Sequence, residues 1–375
     1  MKVKYPVAGF LAVLLLMSGC GGEKNFTSQK KDGVLFVHNR GPASTEPSAR
    51  LEFVRRIGEM ETEDENLMFV FPIHAAEDGE GNLYVLDSQD FCVKKYDRDG
   101  NFLLKFGRQG QGPGEFQYPM RVICSGNDHL VVDGMDSTRR IFDLSGEYAG
   151  GFTLGQYEGM FLEAMQSGRF VGYSFSVGGE NKKDNKLLKI FDIEGKTLHS
   201  FGEPMLLTRT QDTWNANFVR LAVDKKDDIY AAFIFQNRIE KYSPEGEILM
   251  SVDRELPFPV EYKVVKESMD IGGQARQIER LRSAAFSRGI GMDREGRIWI
   301  LAVIKQPSPD MEREAYVPHE YTRFEVYDPE GVLLYHVPMP EELQSFDNIV
   351  QCGDNLYFMD PFGECCVFHY RIVNK

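Results

Sequence analysis

Beyond residue 50 the chain alternates short apolar runs with polar turns, and the alternation recurs as a repeated unit. Each unit passes from a polar turn into an apolar run such as LYVLD (83–87) or IYAAF (229–233). A loop follows, then an alternating segment ending on an aromatic and a polar residue: KKYD (94–97), RIFD (140–143), KIFD (189–192), EKYS (240–243), EVYD (325–328). A glycine-containing turn comes next, as in DRDGN (97–101) and DPEGV (328–332), and then a further strand. Period-two alternation bounded by turn glycines predicts antiparallel strands. No helical period competes with it inside the units. Repeats of roughly 40 to 60 residues, each an antiparallel sheet, predict an all-β propeller. Six units can be traced, so six blades are expected.

The sixth unit, DNLYFMDPFGECCVFHYRIV, stops one strand short of the others. The segment LEFVRRIG, after Arg50, reads like the last strand of unit one, NFLLKFG. It is expected to complete the sixth sheet, which closes the ring and hides both edges. Two insertions interrupt the pattern. Residues 251–289 carry helical propensity in EYKVVKESM and QARQIERLRSAAF, with Ile278, Leu281 and Ala285 at helical spacing; a partly helical decoration between blades four and five is predicted. The second, KQPSPDMEREAYVPHE (305–320), reads as a loop within unit five.

The stretch FGRQGQGPGEFQYP (106–119) superficially resembles a phosphate cradle. A cradle needs a helix after its glycines, whose N-terminus holds the phosphate. Here QYPMRVIC follows, which reads as a strand. The glycines are expected only to turn the chain between blades one and two.

The first twenty residues stand apart. Lys2 and Lys4 precede an apolar run from Val7 to Met17, too short to span a bilayer as a mature helix. Ser18-Gly19-Cys20 follows, so residues 1–20 read as a secretory signal. Residues 21–49 are expected to be a flexible tether, and residues 50–375 the propeller. The 57 acidic residues exceed the 43 basic ones, for a formal charge of −14. That field repels nucleic acid, which is excluded as a partner.

The start, with Met17 where leucine is usual, resembles the bacterial lipoprotein signal, which implies a lipid anchor on Cys20 and residence in the cell envelope, at the outer membrane. The repeats resemble NHL-repeat propellers, on Leu83 to Asp87, on Asn237-Arg238-Ile239 with Tyr242 and Gly246, and on Arg323-Phe324. With the G-x-G-P-G-E-F linker, the chain looks like the six-bladed propeller lipoproteins common in Bacteroidota. Amidating lyases of the NHL type bring histidines and zinc to the axis. Here only His74 lies on an expected innermost strand, and no His, Cys or Asp cluster has metal-ligand spacing. No metal and no cofactor are expected.

Five cysteines remain after Cys20. Cys124 and Cys352 share one repeat position, and Cys92 and Cys366 another, so buried free thiols are expected. Asp87, Asp133 and Asp360 follow the second strand of their units, where a carboxylate accepts backbone N–H groups in a turn. Arg121 and Arg220 occupy one repeat position just before the innermost strand, Arg288 is one residue away, and His74 is nearby in unit one. Such residues either ring one mouth of the axial channel, offering guanidinium groups to a carboxylate or phosphate, or pair with acidic neighbours and brace the blades. Trp214, in the linker before unit four, is a further candidate contact for a sugar or peptide. The expected function is a non-catalytic binding or scaffold module recognising a protein, peptide or glycan on one face. The alternative is a propeller-type lyase or lactonase-like hydrolase using the axial channel.

Overall fold

A computed structural model describes residues 24–375 apart from 60–61, 127, 156–157, 175–184, 208–212, 214, 261, 271–274, 309–310 and 313–314. Three strands precede the repeats: β1 (Phe26–Lys31), β2 (Val34–Asn39) and β3 (Ala49–Ile57). Blade one comprises β4 (Pro72–Glu77), β5 (Leu83–Asp87), β6 (Cys92–Tyr96) and β7 (Phe102–Phe106). Blade two comprises β8 (Pro119–Ser125), β9 (His129–Gly134), β10 (Thr138–Asp143) and β11 (Tyr148–Thr153). Blade three holds β12 (Met160–Ala164), β13 (Phe170–Tyr173), β14 (Leu188–Phe191) and β15 (Thr197–Phe201). Blade four holds β16 (Val219–Val223), β17 (Ile229–Phe233), β18 (Ile239–Tyr242) and β19 (Ile248–Arg254). A separate hairpin, β20 (Tyr262–Asp270) and β21 (Ala275–Ser283), leads to blade five. That blade is β22 (Ser287–Met292), β23 (Ile298–Val303), β24 (Thr322–Tyr327) and β25 (Leu333–Pro338), with a short helix α1 (Pro318–Tyr321) before β24. Blade six is β26 (Asn348–Cys352), β27 (Asn355–Asp360), β28 (Cys366–Asn374) and β3.

The six-bladed ring and its closure by an N-terminal strand follow the reading of the sequence. β3 runs antiparallel to β28, with Arg56 opposite Phe368 and Arg50 opposite Val373. Innermost strands touch their neighbours all the way round, from β4 to β8 and finally from β26 back to β4. The apolar core is divided among the seams between blades. Trp299, Phe324, Phe358 and Tyr370 fill the seam of blades five and six, while Tyr84, Val93, Val122 and Phe142 fill that of blades one and two.

Two expectations are corrected. Where a tether is expected through residue 49, β1 and β2 form a hairpin. Its turn places Asp32 and Gly33 at φ 51° and 87°, the pattern of a two-residue hairpin turn of mirror-image type. β2 then joins the outer edge of blade four in parallel to β19, Leu35 beside Met250 and Asn39 beside Arg254. The chain next crosses blade five. The buried Asn39 donates from Nδ2 to the Gly331 carbonyl (3.0 Å) and accepts the Leu333 N–H at Oδ1 (2.9 Å). The N-terminus is thus a strap across three blades. In the insertion after blade four, strands replace the expected helix: β20 and β21 pair from Tyr262–Ser283 to Asp270–Ala275. Hydrogen-bonded pairing overrides a modest helical propensity there.

All blades share one strand order, so the innermost strands begin on one face, here called upper, and end on the lower face. The lower face carries tight turns built alike. In the turn of Asp97, Oδ1 accepts the N–H groups of Asp99 and Asn101 at 2.8 Å, and Gly100 supplies φ 87°. Asp143, Asp192, Asp293 and Asp328 repeat the arrangement. The upper face carries the long connections, including the 106–119 loop, the β20–β21 hairpin and the segment before α1. The 106–119 loop closes on itself. Glu115 fills its concavity, accepting the Gly112 N–H at 2.8 Å and an ion pair from Arg108 at 2.8 Å, so no cradle is left for phosphate.

Candidate functional site at the axis

The innermost strands of all six blades enclose an axial cavity of about 490 Å³. Near its upper mouth the lining includes His74 of β4, Arg121 of β8, Phe161 and Glu163 of β12, Arg220 of β16, and Asp347 and Asn348 at β26. Glu77, Cys124, Met292 and Cys352 line the lower part. Alternation sends successive side chains of an innermost strand into the two flanking seams, as with Val122 and Ile123, while the strand's inner edge faces the axis, so residues at one repeat position meet around the cavity.

Arg121 and Arg220, read as mouth residues, both reach the cavity, and their surroundings differ. Arg121 is paired with Glu163 across the seam of blades two and three, while its buried Nε has no acceptor. Burial raises the pKa of the Glu163 carboxyl, against the attraction of Arg121. Arg220 makes no ion pair among the described residues. Its Nε donates to the Arg288 carbonyl (3.4 Å), and its guanidinium lies 5.2 Å from the centroid of the Phe161 ring. Burial, then the charges of Arg121 and Arg288, bring its pKa down to about 10, with Asp347 and Glu163 acting in the opposite sense.

His74 is buried, and its Nδ1 lies 3.1 Å from the Val122 carbonyl, which places a proton on Nδ1. Burial, then Arg121 and also Arg220, hold its pKa well below the ordinary value, so the ring is neutral at pH 7. Arg288 does not line the cavity. It donates to the Tyr316 hydroxyl (2.8 Å), in the segment before α1, and stands behind Arg220. Trp214 and Cys20 lie outside the described residues.

Phe161, Glu163 and Asp347 are members of the site that sequence reasoning missed. Glu163 is the acidic residue in MFLEAM, an otherwise apolar innermost strand, and that contrast was the available signal. Phe161 adopts φ 56° at an irregularity in β12 between Met160 and Glu163. A bulky residue at positive φ is an outlier that strains the backbone.

The other residues of chemical interest have structural partners. Asp87 accepts the N–H groups of Val70 and Phe71 at 2.7 and 2.8 Å, and Asp360 those of Gly363 and Glu364 at 2.9 Å. Asp133 accepts from the backbone at Gly134 and Leu162 and is also ion-paired with Arg139 at 2.8 Å. The cysteines at 92, 124, 352, 365 and 366 are free thiols, and burial pushes Cys124 and Cys366 up to about 12. Among the described residues, no three His, Cys, Asp or Glu side chains are grouped to hold a metal ion.

Ring, closing strand and axial cavity together define a six-bladed β-propeller protein. The chain belongs to the family described as 6-bladed beta-propeller (DUF5128), which matches residues 43–281. Among solved structures, it is similar to a member of the DUF4221 family from Bacteroides vulgatus, with a TM-score of 0.57 at 10% identity over 88% of this chain and 99% of that one. A putative exported protein from Bacteroides fragilis aligns with a TM-score of 0.56 at 9% identity, over 91% and 99%. A virginiamycin B lyase from Staphylococcus aureus aligns with a TM-score of 0.49 at 9% identity, over 87% and 100%. For the two Bacteroides proteins, at these identities, the likeness is one of fold. A search of curated proteins finds no match in sequence.

Proposed function

We propose that the protein is a binding module of the cell envelope, held by a lipid on Cys20, that takes a carboxylate of a protein, peptide or glycan ligand into the upper mouth of its axial cavity. The observation that carries this reading is the environment of Arg220. Its guanidinium lines the cavity, stands among like charges, and has no carboxylate within ion-pair distance among the described residues. The chain has an excess of acidic residues, so this is not for want of carboxylates. A desolvated guanidinium offers two parallel N–H donors to a planar carboxylate, and the binding of an anion offsets the repulsion around it. Neutral His74 adds a hydrogen-bonding group beside this charge, and Phe161 an apolar platform under it.

The long connections surround the same mouth and supply contact area for the rest of a ligand. β1 also begins on the upper side, because Phe26 pairs with Asn39, which lies beside Arg254 at the upper end of β19. A lipid on Cys20 would therefore tether the propeller by its upper rim. Calorimetric titration of the purified protein with glucuronate and with N-acetyl-dialanine tests the reading. Saturable binding of either, lost in Arg220→Gln, is expected. Binding that Arg220→Gln leaves intact overturns the assignment of this residue.

A further inference from the structure

We propose that a second anion site, sized for a phosphate group, lies on the lower face in the seam between blades six and one. There Arg55 of β3, Arg371 of β28, Arg98 in the β6–β7 turn and Arg294 in the β22–β23 turn line one polar cavity of about 260 Å³. This site is independent of the axial mouth, which opens on the other face.

Arg55, Arg98 and Arg371 have no ion-pair partner among the described residues. Arg98 donates to the Glu80 carbonyl (3.2 Å) and Arg371 to Asn355 Oδ1 (3.4 Å). Arg294 is held loosely by Asp354 at 3.7 Å. Three carboxylates also line the cavity, and each is bonded to neutral groups. Glu77 accepts from Asn355 Nδ2 and the Tyr357 hydroxyl at 2.8 and 2.7 Å. Asp97 is the acceptor of its own turn and takes Asn101 Nδ2 at 2.8 Å. Glu80 lies 3.5 Å from Asn82 Nδ2.

The geometry keeps the guanidinium groups together. Arg55 crosses the seam to blade one and lies over the Asp97 turn, where a Cβ at Gly100 would meet its Nη1 at 3.1 Å. His369 is the floor, buried and stacked on Tyr357 with ring centroids 4.7 Å apart. Burial, then Arg55 and Arg371, bring the His369 pKa down to about 4, so this ring adds no charge and the arginines stand close to it. A carboxylate would neutralise one of the three unpaired guanidinium groups. A phosphate monoester, with about −1.5 to −2 charge at pH 7 and three acceptor oxygens, matches them better.

Isothermal titration of the purified protein with inorganic phosphate, against sodium chloride of equal ionic strength, tests the proposal. Saturable binding is expected, weakened roughly a hundredfold in the double variant Arg55→Gln, Arg371→Gln and unchanged in Lys30→Gln, at an exposed position of β1 remote from both cavities. Arg98→Gln, on an exposed turn, provides a second variant whose fold is safe, with a loss of about tenfold. Glycerol 3-phosphate and vesicles containing phosphatidic acid then separate a soluble phosphate ester from a lipid headgroup, the double variant losing whichever binds. No saturable binding of phosphate to the wild type, or equal binding by the double variant, overturns the proposal.

Discussion

The guanidinium of Arg220 is seated over the ring of Phe161, 5.2 Å from its centroid, and Phe161 reaches that position with its backbone at φ 56°. For an L-residue with a Cβ this conformation costs roughly 1–2 kcal/mol. Glycine escapes the cost. Phe161→Gly is therefore expected to be more stable than Phe161→Ala, by about 1 kcal/mol, which reverses the usual order in a strand. Urea denaturation of the two variants checks this. Alanine more stable than glycine would mean that the backbone there is unstrained.

The strap across the outer edges gives a second prediction. Asn39 is buried, and both ends of its amide bond blade five, at Gly331 and Leu333. Asn39→Ala leaves a buried carbonyl and a buried N–H without partners, at a cost of about 2–3 kcal/mol. The midpoint of chemical denaturation should fall accordingly. Lys30→Ala, on an exposed position of β1, should stay within about 0.5 kcal/mol of wild type.

Acid sensitivity should be traceable to histidines. Burial, then nearby arginines, bring the pKa of both His336 and His369 down to about 4. Their folded values lie below the ordinary 6.5, so the unfolded chain takes up these protons first as pH falls. The stability they contribute is present above pH 6.5 and is lost as pH falls toward about 4. Replacing His369 by Gln should reduce the loss of stability between about pH 6.5 and about pH 4.5, by up to one proton in the slope. An unaltered pH dependence would place the charged imidazole in a folded site that tolerates it.

The ring could be read in the sequence because its repeats are written in turn chemistry. The Asp and Gly of each lower-face turn have fixed roles, so strand ends recur visibly. Closure by LEFVRRIG was legible for the same reason: it copies an outer strand of another blade. The N-terminal hairpin had its signal in Asp32-Gly33, followed by the apolar VLFVHN. It was obscured because β1 is polar and exposed, so it lacks the alternation that marks a half-buried strand. At the axis, repeat position pointed to the strands whose Arg121 and Arg220 line the cavity. It could not show that Glu163, from another blade, pairs with Arg121, while Arg220 has no ion pair among the described residues. That distinction depends on contacts across seams, which no local pattern encodes.

The melting temperature of Arg220→Gln without ligand tests the central claim most directly. A guanidinium whose pKa is lowered by burial and like charges is held in the fold at a cost at every pH below about 10. If Arg220 is kept for a ligand, neutralising it removes that cost, and the variant should melt at the wild-type temperature or about 2 °C or more above it. If Arg220 is a brace between blades, the variant should melt several degrees lower, and the account of the axial mouth as a binding site would be contradicted.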